Sequence, residues 1–331
     1  MSSGTRSTPL SYFPSPAFDH AIAGMGAGTA AVLCMQPLDL LKIRFQVDTT
    51  RPTRPMGVGR AIYGAITEIY DARGVRGLYR GVGTNIAGNA SSWGLYFLFY
   101  TYMKTQAQAG DTSKALSTAQ YLGYSASASA ATALITNPIW VVKVRLYTTT
   151  PDSPNAYRGL ADGLSSIYRT EGIAGWFRGT LLALVGVSNG AIQFMTYEQL
   201  KRLGLEAKRR KHEAAGLEWN VQVDRLSNTT YTVISGASKI TALILTYPYQ
   251  VVRSRIQNNA TAHLYPNIRA AVSRTFNEEG ARAFYRGLGT NLVRVLPGTC
   301  VTFVVYENIA WLFRRAAARR AEAQREDTTH R

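Results

Sequence analysis

Acidic residues are scarce in this 331-residue chain: 20 Asp and Glu stand against 37 Lys and Arg, a formal charge of +17. Histidine and cysteine are scarcer still, at 4 and 2 residues. Two cysteines, Cys34 and Cys300, are too few for a disulfide framework, and both lie in apolar segments where buried reduced thiols are expected. His20, His212, His263 and His330 fall at a segment end, in loops and in the tail, with no carboxylate or cysteine cluster at metal-ligand spacing. The glycine-rich run GMGAG at 24–28 follows no strand, so it reads as a helix-packing stripe rather than a nucleotide-binding loop. Catalysis, a resident metal and a resident cofactor are therefore not expected.

Six long stretches are also nearly free of charge: Phe18–Leu41, Asn85–Tyr102, Ala119–Val144, Thr180–Leu200, Thr229–Val252 and Asn291–Phe313. Each has the length a bilayer requires. A mean hydropathy of −0.09 hides them, because basic loops offset apolar segments in the average. The segments are rich in Gly, Ala, Ser and Thr, which suits close helix packing where no hydrophobic force operates between helices. A soluble helical array would need charged outer faces at every turn, and these stretches lack them. The fold class that follows is an all-α membrane protein with six transmembrane helices.

The positive surplus admits three partner classes: nucleic acid, an anionic membrane surface or an anionic small substrate. Basic residues cluster between the apolar segments, at 51–80, 208–211 and from Arg314 onward, and do not alternate with aromatics along one face. That distribution disfavours nucleic acid.

What is present is a unit used three times. PLDLLKIRFQ from Pro37 returns as PIWVVKVRLY from Pro138 and PYQVVRSRIQ from Pro248. In each, a cation follows the proline by five residues (Lys42, Lys143, Arg253) and a second by seven (Arg44, Arg145, Arg255). Proline inside a helix removes a backbone hydrogen bond and kinks the axis, and the third and sixth motif positions share a face. A second marker follows each kink: GLYRG, GWFRG and AFYRG, ending at Gly81, Gly179 and Gly287. A third closes each unit: FYTYMK, TYEQLK and VYENIA, near Tyr100, Tyr197 and Tyr306. Self-similarity on this scale overrides a length-based domain count. The units span 17–107, 115–203 and 228–313, with an N-terminal extension at 1–16 expected to be disordered, a charged loop at 204–227 and a basic tail at 314–331. The extension lacks an apolar run long enough for a secretory signal. Within the units, apolar periodicity predicts short amphipathic surface helices at Arg60–Ala72, Tyr157–Thr170 and Asn267–Glu278. The latter two are followed by Glu171-Gly172 and Glu279-Gly280, where the first unit has Arg73-Gly74.

These three markers, repeated in one order from about Phe18 to Phe313, resemble the mitochondrial carrier family. The stretches SSWGLYFLFY (91–100), NPIWVVKVRL (137–146), GAIQFMTYE (190–198), TYPYQVVRSRIQ (246–257), NLVRVLP and TFVVYEN (291–308) look most like its FAD and folate carriers. Related NAD and pyrimidine nucleotide carriers share the tryptophan of the second motif. The resemblance implies pseudo-threefold symmetry around a central cavity, three short matrix-side helices, both termini in the intermembrane space, and a multi-pass position in the mitochondrial inner membrane. It also implies a matrix gate in which the third motif residue of one unit pairs with the cation of the next. Of those acids only Asp39 is present, opposite Lys143; Trp140 and Gln250 hold the other acidic positions, leaving Gln250 to hydrogen-bond Lys42 and Arg253 without a carboxylate. At the opposite, cytoplasmic gate, the motif positions are Thr101 and Lys104, Glu198 and Lys201, Glu307 and Ala310, and only Glu307 with Lys104 makes a cross-unit pair. Few pairs at either end predict that neither closed state is a deep trap.

Charges inside spans ask for a reason. Lys239 lies about three helical turns before Gln250, facing the cavity, and its equivalents are Gly28 and Ser129. Arg294 precedes Tyr306 as Gly88 precedes Tyr100 and Val185 precedes Tyr197. Small or apolar residues at two of these three positions leave room for a planar ligand beside a guanidinium. Asn85 and Asn291 are candidate hydrogen-bond partners, as are Gln193 and Tyr96, while Trp140 offers either a stacking surface or helix packing. A flavin dinucleotide supplies a diphosphate for Lys239 and Arg294 and two flat rings. The expected function is FAD transport by alternating access at one central site, by a monomer whose partners are its anionic substrate and membrane lipids, FAD being cargo rather than cofactor. Folate, NAD or pyrimidine nucleotides are alternative cargoes, and a membrane scaffold without transport is the alternative of another class.

Overall fold

The computed structural model describes residues 12–13, 16–49, 57–108, 116–149, 156–214, 216, 226–261 and 264–329. Within them the chain is helical: α1 (Pro16–Val47), α2 (Val58–Leu78), α3 (Val82–Gln108), α4 (Thr118–Thr148), α5 (Leu160–Trp176), α6 (Thr180–Val185), α7 (Ser188–Ala214), α8 (Asn228–Gln257), α9 (Ile268–Glu279), a short 3-10 turn (Ala281–Tyr285) and α10 (Leu288–Thr329). The periodic surface segments are α2, α5 and α9. Most of the expected N-terminal extension and, of the 204–227 connection, residues 215 and 217–225 lie outside the described residues; 204–214 continues α7 as helix. Tyr12 and Phe13 of the extension are placed: both rings pack on Phe313, and both backbone N–H groups donate to the Asp19 carboxylate.

The long helices pack most extensively between units. α3 lies on α4, α7 on α8, and α10 returns to α1, so the third unit closes a ring with the first. Gly26 permits that closure, since a Cβ there would fall 2.6 Å from Ile309 Cδ1. Gly24 and Gly28 face open space, so of the glycine stripe only Gly26 makes the close contact. Pro37, Pro138 and Pro248 sit inside α1, α4 and α8. Each marker glycine that follows, Gly81, Gly179 and Gly287, has a positive φ of 71°, 72° and 79°, a conformation in which other residues are strained.

Large apolar side chains such as Trp93, Phe97, Leu98, Met195, Leu245, Phe303 and Val304 are exposed along the long helices. Cys34 and Cys300 are exposed too, which corrects the expectation of burial; an apolar helix face in a membrane needs no protein core. Among the described residues, only Phe18–Val47 and Ala281–Arg320 are long and apolar enough to cross a membrane by composition alone, or three spans if the pair bent by 54° between α5 and α6–α7 counts as one. Among the remaining long helices, α7 and α8 carry polar residues such as Asn189, Lys239 and Gln250 on one side, which line an interior cavity.

Candidate functional site

The kinks converge at one end of the ring, and a three-part lattice of hydrogen bonds closes it. The residue before each proline reaches the carbonyl of the marker cation in its own unit: Gln36 Nε2 to Arg80 O at 3.0 Å, Asn137 Nδ2 to Arg178 O at 3.3 Å, and Tyr247 Oη to Arg286 O at 3.1 Å. Each second cation donates through Nε to the tenth motif residue of the next unit: Arg44 to Tyr147 O, Arg145 to Gln257 O and Arg255 to Gln46 O, at 3.0, 3.2 and 3.1 Å. These arginines therefore sit between units and the first cations face inward. Arg145 and Arg255 are fully buried, and each is neutralised by the glutamate that ends its surface helix. Arg145 holds Glu171 through both nitrogens at 2.5 and 3.0 Å, and Arg255 holds Glu279 likewise. Burial pushes the Glu171 carboxyl upward, but hydrogen bonds and charge from Arg145, joined by Arg178, outweigh burial and hold it below its ordinary value.

Inside this lattice lie the first cations. Lys143 Nζ is 3.9 Å from Asp39, which pairs more closely with Arg294 at 2.9 Å. Lys42 donates to Gln250 at 3.1 Å, and Arg253 to Asn137 at 3.3 Å. Asn85 is the hub. Its amide donates to Gln36 and Asp39 at 3.0 and 3.2 Å, and its oxygen accepts from Lys143 at 2.8 Å. Fully buried and committed to four partners, Asn89 being the fourth, Asn85 belongs to the closed end and not to a ligand site.

Above the closed end lies a cavity of about 390 Å³. Lys239, Arg294, Asn291 and Trp140 all line it, with Lys42, Lys143 and Arg253 forming its floor. The Lys239 ammonium has no ion pair or hydrogen bond among the described residues and is exposed to the cavity. Arg294 is half-committed, to Asp39 and, at 3.4 Å, to Asn291 Oδ1. Lys143 Nζ stands 4.9 Å from the centre of the Trp140 ring, a cation–π distance.

Two expected site positions are placed differently. Gly88 leaves no room for a ligand, because a Cβ there would meet Ile139 at 3.2 Å and the Trp140 indole at 3.3 Å. The space that looked free in sequence is filled by a side chain of the neighbouring unit. Val185 is 47% exposed and does not line the cavity; Gly186 and Asn189 do. The helix is interrupted between Val185 and Ser188, so counting back from Tyr197 along an ideal helix lands on the wrong face.

The opposite end is not closed by ions. Glu307 pairs with Arg314 at 3.7 Å and Glu198 with Lys201 at 3.6 Å, each within its own helix. Lys104 lies over the Tyr121 ring. The cross-unit pair of Glu307 with Lys104 is not made among the described residues. Sequence reading missed Gln36, Asn137 and Tyr247, although a signal was available: every residue before a motif proline is a hydrogen-bonding one.

A closed kinked end, a cation-lined cavity and an opposite end where no ion pair crosses between units among the described residues describe a vestibule. The mitochondrial carrier protein model matches residues 13–110, 114–208 and 224–316. Folate transporter 1, chloroplastic, of Arabidopsis thaliana is 36% identical over 302 residues, covering 90% of this chain and 96% of its own. The mitochondrial FAD carrier protein FLX1 of Saccharomyces cerevisiae is 34% identical over 319 residues, 89% of this chain and 96% of its own. Nicotinamide adenine dinucleotide transporter 1, chloroplastic, of A. thaliana is 35% identical over 294 residues, 88% and 90% of the two chains. With three matched repeats, this threefold helical ring around a basic cavity belongs to the mitochondrial carrier family, and the protein is a membrane transporter.

Proposed function

We propose that the chain carries FAD across the mitochondrial inner membrane by alternating access at the single cavity above the kinked end. The observation that carries this reading is Lys239, an ammonium with no partner among the described residues, facing Arg294 and Trp140 around one cavity. An ammonium on a membrane helix is costly unless it meets water or an anion. A diphosphate answers both cations: Arg294 offers a planar fork and Lys239 a point charge. Asn291 holds the Arg294 guanidinium from below, and Trp140 supplies a flat apolar wall. The kinship to a named FAD carrier supports the same cargo.

Geometry also suggests how cargo loosens the closed end. Arg294 is the closest cation to Asp39, so a phosphate that takes Arg294 competes with Asp39 for it. Asp39 then keeps Lys143 and the Asn85 amide, and the balance shifts toward opening in proportion to that differential interaction. A second reading keeps the site and exchanges the cargo for a folate, favoured by kinship of similar strength to a folate transporter.

Uptake by purified protein in liposomes, run with FAD, folate, NAD and a pyrimidine nucleotide, separates the two. FAD is expected to accumulate fastest. Folate uptake without FAD uptake would overturn the flavin assignment. Lys239→Ala should lower flux by about tenfold or more, the loss of one charge-assisted bond to substrate, with the unliganded melting temperature unchanged. Flux indifferent to Lys239 would remove the cavity from the transport path.

A further inference from the structure

The seams between units run along α3–α4, α7–α8 and α10–α1. At the end opposite the kinks the chain itself ties the first two, through 109–117 and 215–227. The third seam joins the last helix to the first, and no loop connects them, although these two helices pack together most extensively. Chain ends that are not tied down order poorly, so this seam needs a fastening of another kind.

The two terminal segments supply one. Asp19, buried in the first turn of α1, accepts from the Tyr12 and Phe13 N–H groups at 3.0 and 3.1 Å, which holds the segment before α1 against its own helix. On α10, the Tyr12 ring stacks on Phe313 at 5.9 Å and the Phe13 ring meets Phe313 edge-on at 5.6 Å. Arg320 completes the seat. Its guanidinium lies 3.8 Å from the centre of the Tyr12 ring, Nη2 donates to the Tyr12 hydroxyl at 2.7 Å, and Nη1 donates to the Tyr12 carbonyl at 3.5 Å. Phe313, Ala317 and Arg320 follow at helical spacing and share a face, and Ala317 is buried. His20 Nδ1 and Tyr306 Oη, 2.7 Å apart, bond the same two helices again.

We infer that Tyr12, Phe13 and Asp19 form with Phe313 and Arg320 a clasp that replaces the missing loop, and that it stays shut through the transport cycle. Helices α10 and α1 are neighbours in the ring, so the clasp ties a seam and does not span the cavity. Closing this end brings helix ends toward the axis and does not require neighbours to part, so the ends of α10 and α1 travel together as the chain-linked ends do. The helix beyond Phe313 thereby acquires a role in the transporter itself, since it carries the arginine that seats the N-terminal segment. This inference rests on alternating access at this end, and not on which anion is carried.

Spin-label distances in the full-length protein in liposomes test it, with Cys34→Ser and Cys300→Ser as background. Labels at Phe18 and Trp311, both exposed, report on the α10–α1 seam, and labels at the exposed Tyr102 and Leu122 report on α3–α4 as the chain-linked control. Tyr12→Ala with Arg320→Ala should broaden the first distance distribution, leave the second unchanged and lower the melting temperature by about 2–4 °C. Tyr12→Phe, which keeps the ring, should stay close to the parent. Unchanged distances in the double-alanine variant, or equal broadening at both seams, overturn the tie. A short bismaleimide joining Tyr12→Cys to Arg320→Cys then tests the cycle: uptake of FAD and of folate should continue at the rates seen before crosslinking. Arrest by the crosslink would mean that the clasp must open, and overturns the inference. If the protein takes up neither compound before crosslinking, the cargo reading fails, while the distances still decide the clasp.

Discussion

The two ends of the bundle are built from the same six long helices, yet they are held in different ways. At the kinked end the bonds run between units: three arginine-to-carbonyl contacts around the ring, two buried Arg–Glu pairs and the Asp39–Lys143–Arg294 cluster. At the other end, Glu198 and Glu307 pair within their own helices. Bonds between units resist separation of the helices, whereas bonds within a helix are indifferent to it. A cavity closed at the first end and not ionically closed at the second is therefore the state that the charges on each end favour. The units differ as well. Where Glu171 and Glu279 neutralise Arg145 and Arg255, the corresponding position of the first unit is Arg73.

The largest effect should come from Arg255→Ala. Removing Arg255 leaves the largely buried Glu279 with Arg286 as its remaining cation, at a cost of about 3 kcal/mol, read as a lower melting temperature of the purified protein. A melting temperature unchanged by that substitution would break the comparison at its strongest point. Next is the cluster at the floor of the cavity. Asp39→Lys or Lys143→Asp alone should each abolish most transport, and the double exchange should restore part of it; no recovery would mean that the pair does not couple the units. Recovery will be incomplete, because Arg294 and Asn85 are also arranged around a carboxylate at position 39.

A pH dependence follows from Glu171. Its carboxyl lies below its ordinary value of 4.5 in the folded protein, so the pair with Arg145 contributes its full stability above that value and gives it up as pH falls beneath it. Melting temperature should drop as the pH is lowered from about 6 to about 3.5, and more shallowly in Glu171→Gln. Equal slopes in the two proteins would show the pair to be neutral. The smallest effect belongs to the other end. Lys104→Ala or Glu307→Ala should change stability by about 0.5 kcal/mol or less; a loss comparable to that of Arg255→Ala would mean that this end is closed in solution.

The marker residues made much of this legible in advance. Proline positions located the kinks, and charge-free length located the long helices even where hydropathy alone did not. Positions on the cavity wall followed from turns counted along one helix, as for Lys239 and Arg294. The count failed where the helix is interrupted, between the end of α6 at Val185 and the start of α7 at Ser188, and Val185 turned outward. Gly88 was misread for a different reason. An empty position in one unit says nothing about the side chain that the next unit inserts there, in this case Trp140.

By itself, then, the sequence determined the threefold repeat, the kinked helices and the direction in which most side chains leave them, because each depends on residues close along the chain. Tertiary structure alone decided which cation is committed and which is free. Asp39 could have answered Lys143 only; instead Arg294, more than 250 residues away, stands closer, and Lys239 is left facing the cavity. Charge pairing depends on distance in space, and a ring closed by its last helix sets those distances only once all six long helices are in place.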